Sequence, residues 1–285
     1  MKFIIGVIIV LGCVGGGFVL SHGHLAALWQ PFELVIICGA AFGAFVISNP
    51  GTVIKDSFGS IGKLLSGSKH NKASYMELLA LMYDLFTKAR KEGLMALEGD
   101  IDEPHESPIF QKYPKILKNH HALDFIADYL RLMVGGNMNP FEIENLMDVE
   151  LDTHHHEAAK VPTAFTAVSD ALPGFGIVAA VLGIVITMAS IGGPVEELGK
   201  HVAAALVGTF LGILFAYGFV GPMATSLTAM NEDDSKVFEC IKVCLLASLN
   251  GYAPQISVEF GRKTLESHNR PGFQELEDFV KGKSE

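Results

Sequence analysis

Four long apolar runs dominate the hydrophobic pattern of the chain, at residues 3–20, 32–48, 171–191 and 202–224. About 20 helical residues, each rising about 1.5 Å, cross a hydrocarbon core of about 30 Å, so runs of this length fit a bilayer. The last two runs hold no charged side chain, and the final one contains Gly208 and Gly212, a GxxxG pair. Such pairs let helix backbones approach closely in lipid. The pattern predicts an all-α integral membrane protein with four transmembrane helices.

The polar stretch between the second and third runs is too long for a linker and too polar to cross a membrane. Apolar residues recur there at helical spacing in 72–92, 124–134 and 140–152, with no strand-like alternation. A further helix is predicted to continue inward from the last span over 230–249, ending at Asn250 and Gly251. We therefore predict four parts: 1–49 with transmembrane helices 1 and 2, 50–168 as a cytoplasmic helical domain, 169–225 with transmembrane helices 3 and 4, and 226–285 as a cytoplasmic C-terminal helix and tail.

Composition supports a membrane protein and gives its orientation. The chain is 49% hydrophobic with a mean hydropathy of +0.36, and its net charge of −10 argues against nucleic acid as a partner. Lys and Arg are concentrated in the two polar parts, which predicts that both termini lie in the cytoplasm. A cleaved signal peptide is the alternative for the first run, but that run continues past Cys13 to Leu20 after a single Lys2.

Candidate metal and enzyme motifs are weak. The three consecutive histidines at 154–156 diverge around a helix, which favours a solvated run over one ligand sphere. Cys240 and Cys244 lie one turn apart without His nearby and are expected to be reduced, packed thiols. Phosphate-loop, nucleophile-elbow and zinc-protease signatures are absent from the sequence, so we expect no cofactor, no metal and no enzymatic activity.

The last two spans contain no carboxylate, although an ion pathway through hydrocarbon normally needs an ionisable or coordinating group. Their polar groups are mainly Thr187, Thr209 and Tyr217, so a partner must supply the acid. Asp170 lies at the inner end of the third span. It is either a residue of a proton exit or a solvated helix-start residue.

Long stretches of the sequence resemble the MotA family of flagellar motor stator subunits, over nearly the whole chain. They are ALMYDLFTKARKEGLMALEGDI at 80–101, LPGFGIVAAVLGIV at 172–185, VGTFLGILFAYGFVGP at 207–222 and NGYAPQISVEFGRKTL at 250–265. The resemblance implies a homo-oligomeric ring of four-span subunits, embedded in membrane lipid, around a dimer of the single-span protein MotB. In that family, an aspartate of MotB accepts the ion, and ion flow turns the ring against the rotor protein FliG.

The resemblance also assigns roles to four residues. It implies that Pro173 and Pro222 border the ion path and that Arg90 and Glu98 contact FliG. Proline removes a helix donor and kinks a span, so the pair fits a point of motion, with a static kink as the alternative. Without the resemblance, the stretch around Arg90 and Glu98 would read as a solvated charged face.

The transported ion is expected to be a proton. Sodium-driven members of the family carry a threonine seven residues after the first proline, where this chain has Ala180, and Thr209 is the lone nearby hydroxyl. A single hydroxyl is a poor binding site for a cation that needs several oxygen ligands. A sodium-driven stator remains an alternative, as does an ExbB- or TolQ-like energiser of outer-membrane transport. A solute permease is disfavoured because polar substrate ligands and inverted repeats are not visible in the spans.

Overall fold

The computed structural model describes residues 2–67, 70–136, 138–189, 191–192 and 194–282, and those residues form helices joined by short turns. The α-helices are α1 Lys2–Leu20, α2 Pro31–Ser48, α3 Gly51–Ser66, α4 Lys72–Glu92, α5 Glu98–Asp102, α6 Pro114–Leu117, α7 His120–Gly135, α8 Pro140–Ala189, α9 Val195–Phe215, α10 Gly221–Leu249, α11 Pro254–Thr264 and α12 Phe273–Gly282. Short 3-10 turns lie at Leu25–Leu28, Leu94–Leu97 and Phe110–Lys112, and a π-helical turn at Ala216–Val220. No strand occurs among the residues described. The predicted all-α class is confirmed, and the last three residues of the predicted tail lie outside the described residues.

Four stretches of helix are long and apolar enough to cross a membrane: α1, the segment Leu25–Ser48 that contains α2, α8, and the segment Val195–Leu249 that contains α9 and α10. This agrees with the four predicted spans. In α1 the apolar residues face all directions and none is buried within the chain. A helix that is apolar all round suits lipid or a packed neighbour on every side.

Two helix boundaries differ from the sequence expectation. The predicted helix over 140–152 and the third span are one continuous helix, α8, of 50 residues with Pro162 and Pro173 inside it. Alanine and other good helix formers in the intervening residues keep the helix intact. The fourth span begins at Val195 rather than residue 202, because Glu196 and Glu197 in its first turn are favourable at a helix N-terminus. His201 therefore lies within a helix and not in a loop.

The described residues divide into two compact units. We call one the membrane unit, from Met1–Gly67 and Ala158–Met230, and the other the extramembrane unit, from Ser68–Glu157 and Asn231–Glu285. These divisions fall later than the boundary predicted after residue 49 and earlier than the one predicted after residue 168. As a result, α3 and the residues of α8 from Ala158 onward belong to the membrane unit.

The membrane unit packs α2 against α8 and α9. Ile37 and Ala41 of α2 are buried in one apolar cluster with Leu172 of α8 and with Val207 and Leu211 of α9. The α2 residues lie four apart, on one face of that helix. This cluster fixes the relative position of α8 and α9, the two spans that contain most of the candidate site.

The extramembrane unit has a large apolar core built around α4 and α7, with α10 and α11 packed against it. Asn71 caps α4 by accepting a hydrogen bond from the Ser74 amide at 2.9 Å, and the Asn71 amide donates to Ser74 Oγ at 2.9 Å. At the core's edge, the hydroxyl of Tyr113 donates to Asp84 Oδ2 at 2.9 Å. Burial, reinforced by Asp84, raises the pKa of Tyr113 and keeps that hydroxyl a donor.

The end of the chain folds back onto α4 through a buried arginine. The guanidinium of Arg262 makes two hydrogen bonds to Glu259, at 2.6 and 2.7 Å, and a third to the carbonyl of Pro271 at 2.7 Å. This arrangement holds the turn after α11, so that α12 packs on α4. The hydrogen bonds from Arg262 lower the pKa of Glu259 and keep the pair charged.

Candidate functional site

The centre of the candidate site is a close contact between α8 and α9, which we call the seam. A Cβ built on Gly212 would lie 2.7 Å from the Leu172 carbonyl oxygen and 2.9 Å from Gly176 Cα, and a Cβ on Gly176 would lie 3.0 Å from the Gly208 carbonyl oxygen. Only hydrogen fits at these positions, so the two backbones touch. The predicted GxxxG contact is therefore present, with α8 as its partner.

The seam runs antiparallel, and it brings two predicted residues to one level. A Cβ on Gly208 would lie 3.2 Å from Ala179 Cβ and 3.5 Å from the Ala180 amide. Thr209 follows Gly208 directly, and its Cα would lie 3.3 Å from a Cβ on Gly176. Ala180 and Thr209, both half-buried, thus belong to neighbouring turns across the seam.

One end of the seam, at the start of the membrane part of α8, has an irregular backbone. Ser169, which is 4% exposed, donates from Oγ to the carbonyl of Ala216 at 3.0 Å. That carbonyl belongs to the π-helical turn Ala216–Val220, which contains Tyr217 and precedes Pro222 by two residues. Pro222 has no amide hydrogen to donate to the preceding turn, and the helix widens there into a π turn. The Ala216 carbonyl accepts from the Gly221 amide and, as a second donor, from the Ser169 hydroxyl. Prolines therefore flank this contact on both helices.

The opposite end of the seam lies at the connection between α8 and α9, and we call it the loop end. A Cβ on Gly183 would lie 3.0 Å from Ala205 Cβ. One turn further along each antiparallel helix come Thr187, which is 2% exposed, and His201. Thr187 Oγ1 donates to the Gly183 carbonyl at 2.8 Å. The Nδ1 atom of His201 is buried and has no hydrogen-bond partner among the described residues.

The second predicted site is a corner of the extramembrane unit between α4 and α5. Arg90 is exposed in the last turn of α4, and Glu98 is exposed at the first residue of α5. Gly93 ends α4 with a φ of 90°, a conformation that L side chains rarely adopt, and turns the chain between the two charges. No ion pair of Arg90 or Glu98 is found within the described part of the chain.

A buried carboxylate holds this corner in place. Asp100, 4% exposed, accepts hydrogen bonds from Lys88 Nζ at 2.7 Å and from Ser107 Oγ at 2.6 Å. The same serine oxygen also accepts from the amides of Ile109 and Phe110. The network ties α4, α5 and the following turn together, so it fixes where Arg90 and Glu98 are presented.

The structure divides the predicted site residues into three groups. Pro173, Ala180 and Thr209 lie along the seam; Asp170, Tyr217 and Pro222 are exposed around its irregular end; Arg90 and Glu98 lie on the separate corner. Sequence reasoning missed Ser169, His201 and the pairing role of Asp100. Two signals could have identified them. Ser169 directly precedes the predicted Asp170, and His201 lies six residues after the start of α9, which the sequence analysis placed too late.

Other candidate chemistry is not supported by geometry. Cys240 and Cys244 are fully buried and unbridged, as expected for packed thiols. No group of three or more His, Cys, Asp or Glu side chains suited to a metal is found within the residues described.

Models of two protein families match the chain: the motility protein A N-terminal family over residues 4–93 and the MotA/TolQ/ExbB proton channel family over residues 118–240. The chain is 53% identical to motility protein A of Salmonella typhimurium strain LT2 and 52% identical to that of Escherichia coli strain K12. Both alignments cover 99% of this chain and 95% of the relative. It is also 37% identical to the chemotaxis protein LafT of Vibrio parahaemolyticus, over 98% of both chains.

Solved structures give the same fold. The chain superposes on a chain of the flagellar MotAB stator complex from Bacillus subtilis with a TM-score of 0.70 at 26% identity, covering 90% of this chain and 92% of the other. A chain of the C. jejuni MotAB structure gives a TM-score of 0.79 at 19% identity, which shows the fold alone. Since relatives more than half identical align over almost its full length, the chain belongs to the motility protein A family of flagellar stator subunits, within the MotA/TolQ/ExbB proton channel family.

Proposed function

We propose that this stator subunit forms a ring around a MotB dimer in the bacterial inner membrane, conducts protons with it, and drives the rotor protein FliG. Both termini and the extramembrane unit face the cytoplasm in this proposal. The acid that binds the proton comes from MotB, and no cofactor or metal takes part. The MotAB structures that the chain resembles support MotB as the partner.

The observation that carries the proposal is the seam. Irregular backbone at membrane depth is tolerated where it is buried in protein or lines a water-filled path. Here a glycine-lined contact ends at a π-helical turn, the Ser169 to Ala216 hydrogen bond and two prolines. We propose that the proton passes Ala180 and Thr209 and leaves near Asp170.

Coupling to the rotor follows from helix continuity. Residues of α8 and of α10 fall in both units, and each helix is unbroken from one to the other. A change at Pro173 or Pro222 therefore acts on a continuous helix that ends among extramembrane residues. Arg90 and Glu98 then act as steering contacts to FliG, because exposed charges mainly set encounter and register across a polar interface.

The test is complementation of a cell that lacks its own stator pair. The chain, expressed with its MotB partner, should restore swimming that collapses with a protonophore and does not respond to external sodium at fixed pH. Swimming that follows sodium would show a sodium-driven stator, and no swimming despite normal membrane levels of both proteins would contradict the stator role.

The rotor contact is tested by charge reversal. Reversing Arg90 and Glu98 together should impair swimming and leave MotB binding intact, and matching reversals on FliG should restore it. Reversing Glu106 and Lys118, two exposed charges of the same unit, is the matched control and should have little effect. An equal loss of swimming in both double variants would refute the assignment of Arg90 and Glu98 as FliG contacts.

A further inference from the structure

The polar end of the seam near the α8–α9 connection contains a titratable side chain to which the proposed function gives no role. Within the seam, Gly176 contacts Gly208 and Gly212, and Gly183 contacts Ala205. The two helices are therefore antiparallel, so a residue later in α8 lies opposite a residue earlier in α9. Four residues, or about 6 Å of rise, beyond the Gly183–Ala205 contact places Thr187 and His201 at the same level. His201 therefore lies in line with the seam, along which we propose that the proton passes.

The chemistry at this level suits proton transfer. Thr187 uses its hydroxyl hydrogen on the Gly183 carbonyl, which leaves its oxygen lone pairs to accept. His201 is half-buried, and its Nδ1 atom is buried without a partner among the described residues. A ring nitrogen without a protein partner is open to exchange a proton with water or with another group. In a membrane span, an ionisable side chain is by default a candidate for a proton pathway.

Within residues 171–189 of α8 and 195–215 of α9, His201 is the one titratable side chain that is half-buried. Residues 171–189 of α8, all described, contain no titratable side chain. On α9 itself, Glu196 and Lys200 pair with each other at 3.0 Å on the exposed surface, and Glu197 is exposed. The neighbouring elements contribute Glu33 in the first turn of α2, whose Oε2 is also buried and unpartnered, together with His22 and His24 ahead of the 3-10 turn.

We propose that His201 is a proton-relay residue that loads the ion path from outside the cell. This inference rests on the proposed function and on the orientation that places the α8–α9 connection outside. One ring nitrogen accepts a proton from external water and gives an imidazolium; the other nitrogen then releases a proton to the next acceptor, the MotB carboxylate, which returns the ring to its neutral form. Histidine suits this step because it changes charge between about pH 5 and about pH 8.

The experiment measures rotation of the complete motor in cells that lack their own stator pair and express this chain with MotB. Bead rotation is recorded at low load, where proton transit limits speed, and at high load, over external pH from about 6 to about 8. The variant His201→Gln should lose speed several-fold at low load, with the loss growing as external pH rises, and should keep torque near the unmodified value at high load. Lys200→Gln, at the adjacent exposed position, is the matched control and should rotate like the unmodified chain.

A second variant separates titration from packing. His201→Glu restores a titratable group, so low-load speed should recover, with its pH dependence moved to lower external pH because the unperturbed pKa of Glu is about 4.3 and that of His about 6.5. If His201→Gln does not accumulate in the membrane, His201→Glu decides the question by whether that shift appears. Unchanged pH dependence in either variant, or equal slowing at every pH and load, would overturn the relay. If the unmodified chain does not rotate the motor, the proposed function itself is wrong.

Discussion

Replacing Gly212 with alanine is expected to separate the two helices of the seam. The added Cβ would contact three backbone atoms of α8: the Leu172 carbonyl oxygen at 2.7 Å, Gly176 Cα at 2.9 Å and the Gly176 amide nitrogen at 3.2 Å. None of these atoms can move by a side-chain rotation, so α8 and α9 must shift apart. The shift would reach Ala180 and Thr209, which lie on neighbouring turns.

The expected loss of stability follows from comparison with a glycine that has no close neighbours. Gly174, on the same helix as Gly176, has nothing within 4 Å of a built Cβ. Alanine at either position gains helix propensity of up to about 1 kcal/mol. Only the Gly212 variant pays the cost of overpacking, about 1–3 kcal/mol. The two variants should therefore differ in stability by about 1–3 kcal/mol, with Gly174→Ala equal to or slightly above the unmodified chain.

The measurement is thermal unfolding of the purified complex with MotB in detergent, with swimming speed scored in parallel. Gly212→Ala should unfold at a lower temperature and swim poorly, while Gly174→Ala unfolds normally. Gly176→Ala, whose closest neighbour is the Gly208 carbonyl oxygen at 3.0 Å, should fall between them. Equal stability of the Gly212 and Gly174 variants would show that the seam is not formed as described.

Three further predictions concern the extramembrane unit. Asp100→Ala should cost about 3 kcal/mol in chemical denaturation and should abolish swimming, because it leaves Lys88 and a serine hydroxyl unpaired. Gly261→Ala should cost about 3 kcal/mol, since its Cβ would overlap Cys244 Sγ, and a second substitution Cys244→Ala should recover part of the loss. Burial, followed by nearby His121, lowers the pKa of His154, so the folded state binds fewer protons than the unfolded state, and the free energy of unfolding should fall as pH drops below about 6.5.

The Asp100 and His154 predictions each have a matched control. Asp102→Ala removes an exposed carboxylate paired with Arg131 and should change stability by no more than about 1 kcal/mol. His155→Gln removes an exposed histidine next to His154 and should keep the acid sensitivity, whereas His154→Gln should reduce it. A Gly261→Ala protein of normal stability would contradict the tight packing of α11 on α10.

The sequence predicted the spans and the helical class because both depend on local properties. A run such as 3–20 is long and apolar enough to identify a membrane helix without knowledge of its neighbours. The continuity of α8 was harder to predict. Local cues such as Pro162 weaken a helix, but the surrounding helix formers and the packing on both sides outweigh them. The sequence analysis predicted a helix over 140–152 and a span from residue 171 and assigned no helix to the residues between, where α8 continues.

The site depends on register, which the sequence does not contain. Gly208 and Gly212 indicated a close contact, but not that Gly176 and the Leu172 carbonyl lie opposite. Likewise, the stretch from Lys88 to Asp100 looked like a uniform charged surface. The structure buries Asp100 against Lys88 and Ser107 and leaves Arg90 and Glu98 exposed, a difference that the order of residues along the chain does not contain.

Because the sequence analysis placed the start of α9 too late, it also overlooked His201. A hydropathy boundary at residue 202 assigned His201 to a loop, where a histidine is ordinary and solvated. With α9 starting at Val195, the same residue is half-buried one turn from Ala205, beside a helix with no titratable group over 171–189. An ionisable side chain is uncommon inside a span because its burial is costly, and it persists there where it has a function. Hydropathy thus defines where a span is apolar, whereas a half-buried histidine at its polar end is recognised only once the helix itself is located.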